Sequence, residues 1–172
     1  MTLEVLLQTL NTEFLNNYQT QLLGGFAEPF YKAHQGKKWA EIQFREDFFR
    51  SALHELAHWC VAGKERRGKD DFGYWYVPDG RNDEDQELFY KVEVKPQAIE
   101  WAFSVICDVP FDLSLDNLAG QPKGVAPFRR NVKIQVQQYL EEGFPERTAK
   151  ILALLATRGQ PLESLQATHL DF

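Results

Sequence analysis

The stretch DFFRSALHELAHWCV, residues 47–61, contains an HExxH motif formed by His54, Glu55 and His58. Residues four apart on an α-helix lie one above the other, so both imidazoles leave the same face and can bind one metal ion. Apolar side chains occupy most of the remaining positions, which is typical of a helix at the centre of a fold. Buried imidazoles without a metal would need hydrogen-bond partners. The stretch therefore predicts a central, metal-binding helix.

A third protein ligand is needed, because a catalytic metal usually takes three and leaves a position for water or substrate. One HExxH subgroup has a glycine and a third histidine shortly after the motif. Val61 stands at the glycine position and no histidine follows before His169, which excludes that subgroup. Glu100 lies on an apolar helix, where a carboxylate needs a cation or a hydrogen-bond partner. We predict Glu100 as the third ligand, with Glu93 as the alternative.

The rest of the chain predicts an α+β fold, a mostly helical single domain spanning residues 1–172 with a small sheet beside the central helix. Gly24-Gly25 is expected to break the first helical pattern, and Pro96 to open a new helix after a segment that could be helix or strand. The predicted helices are residues 3–18, 47–61, 97–107, 128–142 and 146–157, and the predicted strands are residues 30–33 and 39–44.

Composition limits the classes of partner. The chain has 172 residues, of which 44% are hydrophobic, and this suits one folded domain. Its formal net charge of -6 makes nucleic acid an unfavourable partner. No signal peptide and no apolar stretch of membrane-spanning length is visible, so no membrane partner and a cytoplasmic location are expected. Cys60 and Cys107 are expected to be reduced, buried thiols.

The chemistry of two histidines and a carboxylate depends on the metal. With zinc, Glu55 would act as general base on metal-bound water, which describes a hydrolase such as a peptidase or an RNase. With Fe(II), the same ligands form the facial triad of non-haem oxygenases. The motif by itself favours zinc hydrolysis, and a binding module with a structural metal is a more remote third reading. No glycine-rich dinucleotide fingerprint is present, so no nicotinamide or flavin site is expected.

Two longer segments resemble the bacterial elongation factor P hydroxylase family. They are HELAHWCVAGKERRGKDDFGYWYVPDGR, residues 54–81, and EVKPQAIEWAFSVIC, residues 93–107. The resemblance implies an iron-dependent monooxygenase that uses dioxygen to hydroxylate the β-lysylated lysine of translation elongation factor P, with zinc an alternative metal in the purified protein. It also implies a fold similar to the zincins and to the endoribonuclease that matures bacterial ribosomal RNA.

A polar, aromatic loop, Lys64–Gln86, supplies candidate substrate contacts for such a target. A β-lysyl-lysine carries concentrated positive charge on a flexible stem. Acidic side chains of the loop could balance that charge, and aromatic rings could hold an ammonium by cation–π contact. In the iron reading, Glu55 would orient a ligand from outside the coordination sphere or form a hydrogen bond to iron-bound oxygen. The predicted substrate contacts are Asp70, Asp71, Tyr74, Trp75 and Tyr76.

Overall fold

The computed structural model describes residues 1–71, 83–115 and 123–172, within which helices predominate over a three-stranded sheet. Tight 3-10 turns lie at Leu15–Tyr18 and Arg66–Gly68. No helix in this part of the chain combines the length and apolar character needed to cross a membrane. The helices are α1 (Leu3–Glu13), α2 (Phe49–Val61), α3 (Asp83–Cys107), α4 (Val125–Glu142), α5 (Glu146–Ala156) and α6 (Ser164–Ala167), and the strands are β1 (Thr20–Phe26), β2 (Phe30–Lys32) and β3 (Ala40–Arg45).

Strand β3 lies at the centre of the sheet, whose order is β1-β3-β2. It pairs in parallel with β1 and antiparallel with β2. Ala40, Ile42 and Phe44 are buried against the helices, while Glu41 and Gln43 alternate with them on the other, partly exposed face. This alternation confirms the strand predicted at residues 39–44, and β2 confirms the strand predicted at residues 30–33.

The predicted break at Gly24-Gly25 is wrong, because both glycines lie inside β1, and α1 ends at Glu13. A Cβ on Gly24 would lie 2.6 Å from Cζ of Phe44, so only glycine allows β1 to approach this ring. Gly25 has a φ of +89°, and the β1–β3 register shifts between Leu23 and Phe26. The glycines therefore form an irregular, closely packed part of the strand.

The main chain of each outer strand, β1 and β2, forms hydrogen bonds at one residue with a segment outside the sheet. The side-chain amide of Asn11 in α1 donates to the Leu22 carbonyl (3.1 Å), and its oxygen accepts from the Leu22 N–H (2.8 Å). On the other side, the main chains of Tyr31 and Asp71 exchange two hydrogen bonds of 2.7 and 2.8 Å. The aromatic loop, where it begins, is thus attached to β2.

Helix α2 packs between the sheet and α3, as predicted for a central helix. Its C-terminal end is held by Arg147 of α5, whose Nη2 donates to the carbonyls of Cys60 (2.7 Å) and Ala62 (2.6 Å). The same guanidinium lies 4.9 Å from the centre of the Trp59 ring. Cys60 and Cys107 are free and buried, as expected, and burial raises the pKa of each thiol to about 12.

Helix α3 is longer than predicted, because it passes through Pro96 without ending. A proline inside a helix removes the hydrogen bond to the carbonyl four residues earlier. That carbonyl belongs to Val92, a residue that is 37% exposed. The unbroken helix carries Glu93, Gln97 and Glu100 on one face, all at most 2% exposed. Helices α4 and α5 agree with the predicted segments to within three residues.

Candidate metal centre

Three side chains from α2 and α3 converge at one point, and they are His54, His58 and Glu93. The two Nε2 atoms lie 3.1 Å apart. Oε1 of Glu93 lies 3.1 Å from Nε2 of His58, and its Oε2 lies 3.7 Å from Nε2 of His54. Ligand atoms about 2.1 Å from an ion lie about 3.0 Å apart at right angles and about 3.4 Å apart in a tetrahedron. The separations therefore fit a single divalent ion.

The antiparallel packing of the two helices explains this convergence. His54 and His58 are one helical turn apart on α2, and Glu93 and Glu100 are two turns apart on α3. His58 contacts Glu93, and His54 contacts Glu100. Each carboxylate of α3 therefore contacts a histidine of α2. The convergence depends on the spacing of these residues along both helices.

Glu100 contacts the opposite nitrogen of the His54 ring. Its Oε2 lies 2.7 Å from Nδ1 of His54, whereas Glu93 approaches Nε2. An N–H at Nδ1 that donates to this carboxylate leaves the Nε2 lone pair free for a metal, which is how many metal-binding histidines are oriented. The alternative ligand, Glu93, thus lies at the point of convergence. The preferred candidate, Glu100, lies on the Nδ1 side of the His54 ring, away from that point. Which carboxylate binds an ion remains a prediction.

The electrostatics of the group favour a positive charge. Burial opposes ionisation of Glu93, but the adjacent His58 and His54 outweigh burial and lower the pKa of Glu93 to about 2. Burial likewise opposes protonation of His54, but Glu100 and Glu93 outweigh it and raise its pKa to about 10. Both imidazole side chains are 22% exposed, so solvent reaches part of the group.

Glu55 lies beside this group on α2 and lines a small cavity of about 40 Å³. The cavity is lined also by His58, Tyr31 and Arg67, and it has room for a few water molecules. Burial raises the pKa of Glu55, although the neighbouring histidines oppose this change. Glu55 can therefore exchange protons with water or another small molecule, and its catalytic role remains a prediction.

The predicted substrate contacts fall into two sets. Asp70 accepts a hydrogen bond from the Ala33 N–H (2.8 Å), and Asp71 accepts one from the Arg66 side chain. The first bond ties the loop to the residue after β2, and the second lies within the loop itself. The other three predicted contacts, Tyr74, Trp75 and Tyr76, lie outside the described residues.

Comparison with known proteins identifies relatives over most of the chain. The family model described as elongation factor P hydroxylase matches residues 9–168, which include all of α2 and α3. The chain is 47% identical over 146 residues to the elongation factor P lysine hydroxylase of Haemophilus influenzae. That alignment covers 84% of this chain and 82% of the relative.

Proposed function

The chain belongs to the elongation factor P hydroxylase family, and we propose from this membership that it hydroxylates a lysine of translation elongation factor P. The observation that carries the proposal is the 47% identity with a lysine hydroxylase over 84% of the chain. The group formed by His54, His58 and Glu93 supports it, because a hydroxylase of this kind needs a metal with open coordination positions. The zinc hydrolase suggested by the HExxH motif is not favoured by these relatives.

We propose Fe(II) as the metal, held by Nε2 of both histidines and by the Glu93 carboxylate, with dioxygen as cosubstrate. Bound iron would supply the activation of dioxygen. One oxygen atom would enter a lysine C–H bond to give a hydroxyl group, and the other would leave as water with two protons and with two electrons from an external reductant. Glu100 keeps His54 in the tautomer that binds metal, through the 2.7 Å contact at Nδ1. The exposed side of the two imidazoles gives dioxygen and substrate a route to the group.

The proposed substrate is elongation factor P that already carries β-lysine on the acceptor lysine. Because this extension is cationic, we propose that the aromatic loop contributes counter-charges and rings, with Asp70, Asp71, Tyr74, Trp75 and Tyr76 as candidates. A translation factor as substrate supports a cytoplasmic location. The arrangement of a small sheet beside an HExxH helix supports a zincin-like fold, similar to that of the endoribonuclease of ribosomal RNA maturation.

The test is hydroxylation in a defined mixture. The purified chain is loaded anaerobically with Fe(II) or with zinc, and then given oxygen, a reductant and β-lysylated elongation factor P. Mass spectrometry is expected to find one added oxygen atom on the modified lysine only with iron, and none with His58→Ala. Elongation factor P without β-lysine serves as the matched substrate control. Equal oxygen incorporation in the zinc-loaded enzyme, or cleavage of a peptide or RNA in its place, would refute the proposal.

A further inference from the structure

A short segment, Asp112–Ser114, is bound by both helices of the metal centre. We call it the crossing segment. From α2, Nη2 of Arg50 donates to the Asp112 carbonyl (2.6 Å), and Nη1 lies 3.4 Å from its carboxylate. From α3, Oε1 of Gln97 accepts from the Ser114 N–H (3.1 Å), and Nε2 donates to the Ser114 carbonyl (2.8 Å). The crossing segment therefore spans the two helices.

Each of the two anchoring residues is close to a member of the metal centre. Arg50 precedes His54 by four residues, and Gln97 follows Glu93 by four residues, so each pair is separated by one helical turn. The crossing segment is thus attached one helical turn from a proposed ligand on each of the two helices. A displacement of the crossing segment would therefore act on each helix within one turn of a proposed ligand.

Gln97 contacts the crossing segment and Glu93 at the same time. Its Nε2 donates to Oε2 of Glu93 (3.1 Å) as well as to Ser114. The side chain is 0% exposed, so water does not replace a lost bond. A carboxamide is planar, and its two N–H groups have fixed relative directions. If Ser114 moves, the amide must turn, and the bond to Glu93 changes with it.

We propose that Gln97 is a positioning residue that couples the placement of the crossing segment to the orientation of the Glu93 carboxylate. With the crossing segment in place, Gln97 holds Oε2, and Oε1 faces Nε2 of His58 at 3.1 Å. This inference rests on the proposed role of Glu93 as a ligand. Coupling is reciprocal, so metal binding must also stabilise the crossing segment. Substrate contacts that shift this segment would alter metal binding through the same side chain.

The first test needs no variant. Amide hydrogen exchange at Ser114, whose N–H is bound by Gln97, is measured with and without Co²⁺ as the probe metal. We expect Co²⁺ to slow exchange at Ser114 by about 5- to 150-fold, the usual range of coupling between two sites. An unchanged rate would overturn the proposal. The readout is independent of hydroxylation activity.

The second test is a double-mutant cycle on Co²⁺ affinity. Gln97→Met keeps the length of the side chain and removes its hydrogen bonds, and we expect it to weaken Co²⁺ binding about 10- to 100-fold, as for other partners of metal ligands. Arg50→Met releases the crossing segment without touching Glu93, and a smaller loss is expected. The Arg50→Met effect should vanish in the Gln97→Met background, because the segment reaches Glu93 through Gln97. An equal effect in both backgrounds would contradict this.

Controls separate this inference from the proposed function. Gln43→Met removes a similar glutamine–glutamate bond, of 2.6 Å to Glu41, on the sheet face away from α2, and should leave Co²⁺ affinity unchanged. If His58→Ala keeps the metal, the proposed centre itself is wrong. If His58→Ala loses the metal while Gln97→Met binds it like the wild type, only the coupling is wrong. Should Gln97→Met not fold, Arg50→Met and the exchange rate of Ser114 in the wild type decide the question.

Discussion

Exchange of Glu93 for glutamine is expected to abolish stoichiometric metal binding, whereas the same exchange at Glu100 is expected only to weaken it. Both substitutions keep the shape of the side chain and remove its charge. Glu93 lies 3.1 Å from Nε2 of His58 and 3.7 Å from Nε2 of His54, so its amide would be a neutral, weaker ligand at the point of convergence. Glu100 instead contacts Nδ1 of His54, at 2.7 Å, which is the ring nitrogen on the side away from Glu93.

The size of the Glu100 effect follows from this indirect contact. Loss of a residue that orients a metal-binding histidine typically reduces metal affinity about 10- to 100-fold. Since a tenfold change corresponds to about 1.4 kcal/mol, Glu100→Gln should cost about 1.4 to 2.8 kcal/mol of binding free energy. Glu93→Gln should exceed this range, because it removes the one anionic donor of the converging group.

Both affinities can be measured by anaerobic titration of the metal-free protein with Fe(II) in competition with a coloured chelator. His58→Ala provides the reference for a lost ligand, and circular dichroism verifies that each variant is folded. If Glu93→Gln binds one ion as tightly as the wild type and Glu100→Gln binds none, the reasoning from the present geometry is refuted. The sequence-based choice of Glu100 as third ligand would then be correct.

Three further predictions concern stability and reactivity. Arg147→Met should lower the free energy of unfolding by about 2 kcal/mol, because charged hydrogen bonds to two carbonyls at the end of α2 are lost, and urea denaturation measures this. Lys150→Met on the same helix, whose ion pair is exposed, should leave the urea midpoint unchanged. Gly24→Ala should cost about 1 to 3 kcal/mol through overlap with its neighbours, whereas Gly63→Ala, whose methyl group meets open space, should cost nothing; equal midpoints for the two variants would contradict this. Neither buried thiol should react with a thiol reagent at pH 8 before unfolding, because a pKa of about 12 leaves roughly one thiolate in ten thousand, and modification of the native protein would disprove it.

The shared face of His54 and His58 on α2 could be predicted from the sequence because their spacing is local. His54 and His58 are four residues apart in one helix, and no other part of the chain is needed to place them on one face. The position of Glu93 beside both histidines is harder to predict, because a proline such as Pro96 commonly indicates the start of a helix. Extending the pattern back across Pro96 places Glu93 seven residues before Glu100 on the same buried face, and this spacing is the signal that identifies it.

Strand β1 could not be predicted from its own sequence pattern, because the contacts that stabilise it involve distant residues. Two adjacent glycines usually indicate a turn. Here Gly24 is required by the ring of Phe44, a residue of β3 that lies twenty positions later in the chain. The parallel pairing of β1 with β3 is likewise a contact between distant segments. Such contacts leave no periodic trace in the segment itself.

The partners found at both outer strands of the sheet determine how another polypeptide can approach it. An open strand edge is a template to which a second chain can add, either as a bound peptide or as the start of an aggregate. Here the carboxamide of Asn11 binds the main-chain N–H and carbonyl of Leu22, and the main chain of Asp71 binds those of Tyr31. A visiting protein therefore finds no continuous ladder at either of these strands. A second strand that paired along the whole of β1 or β2 would first have to displace the Asn11 side chain or the main chain of Asp71.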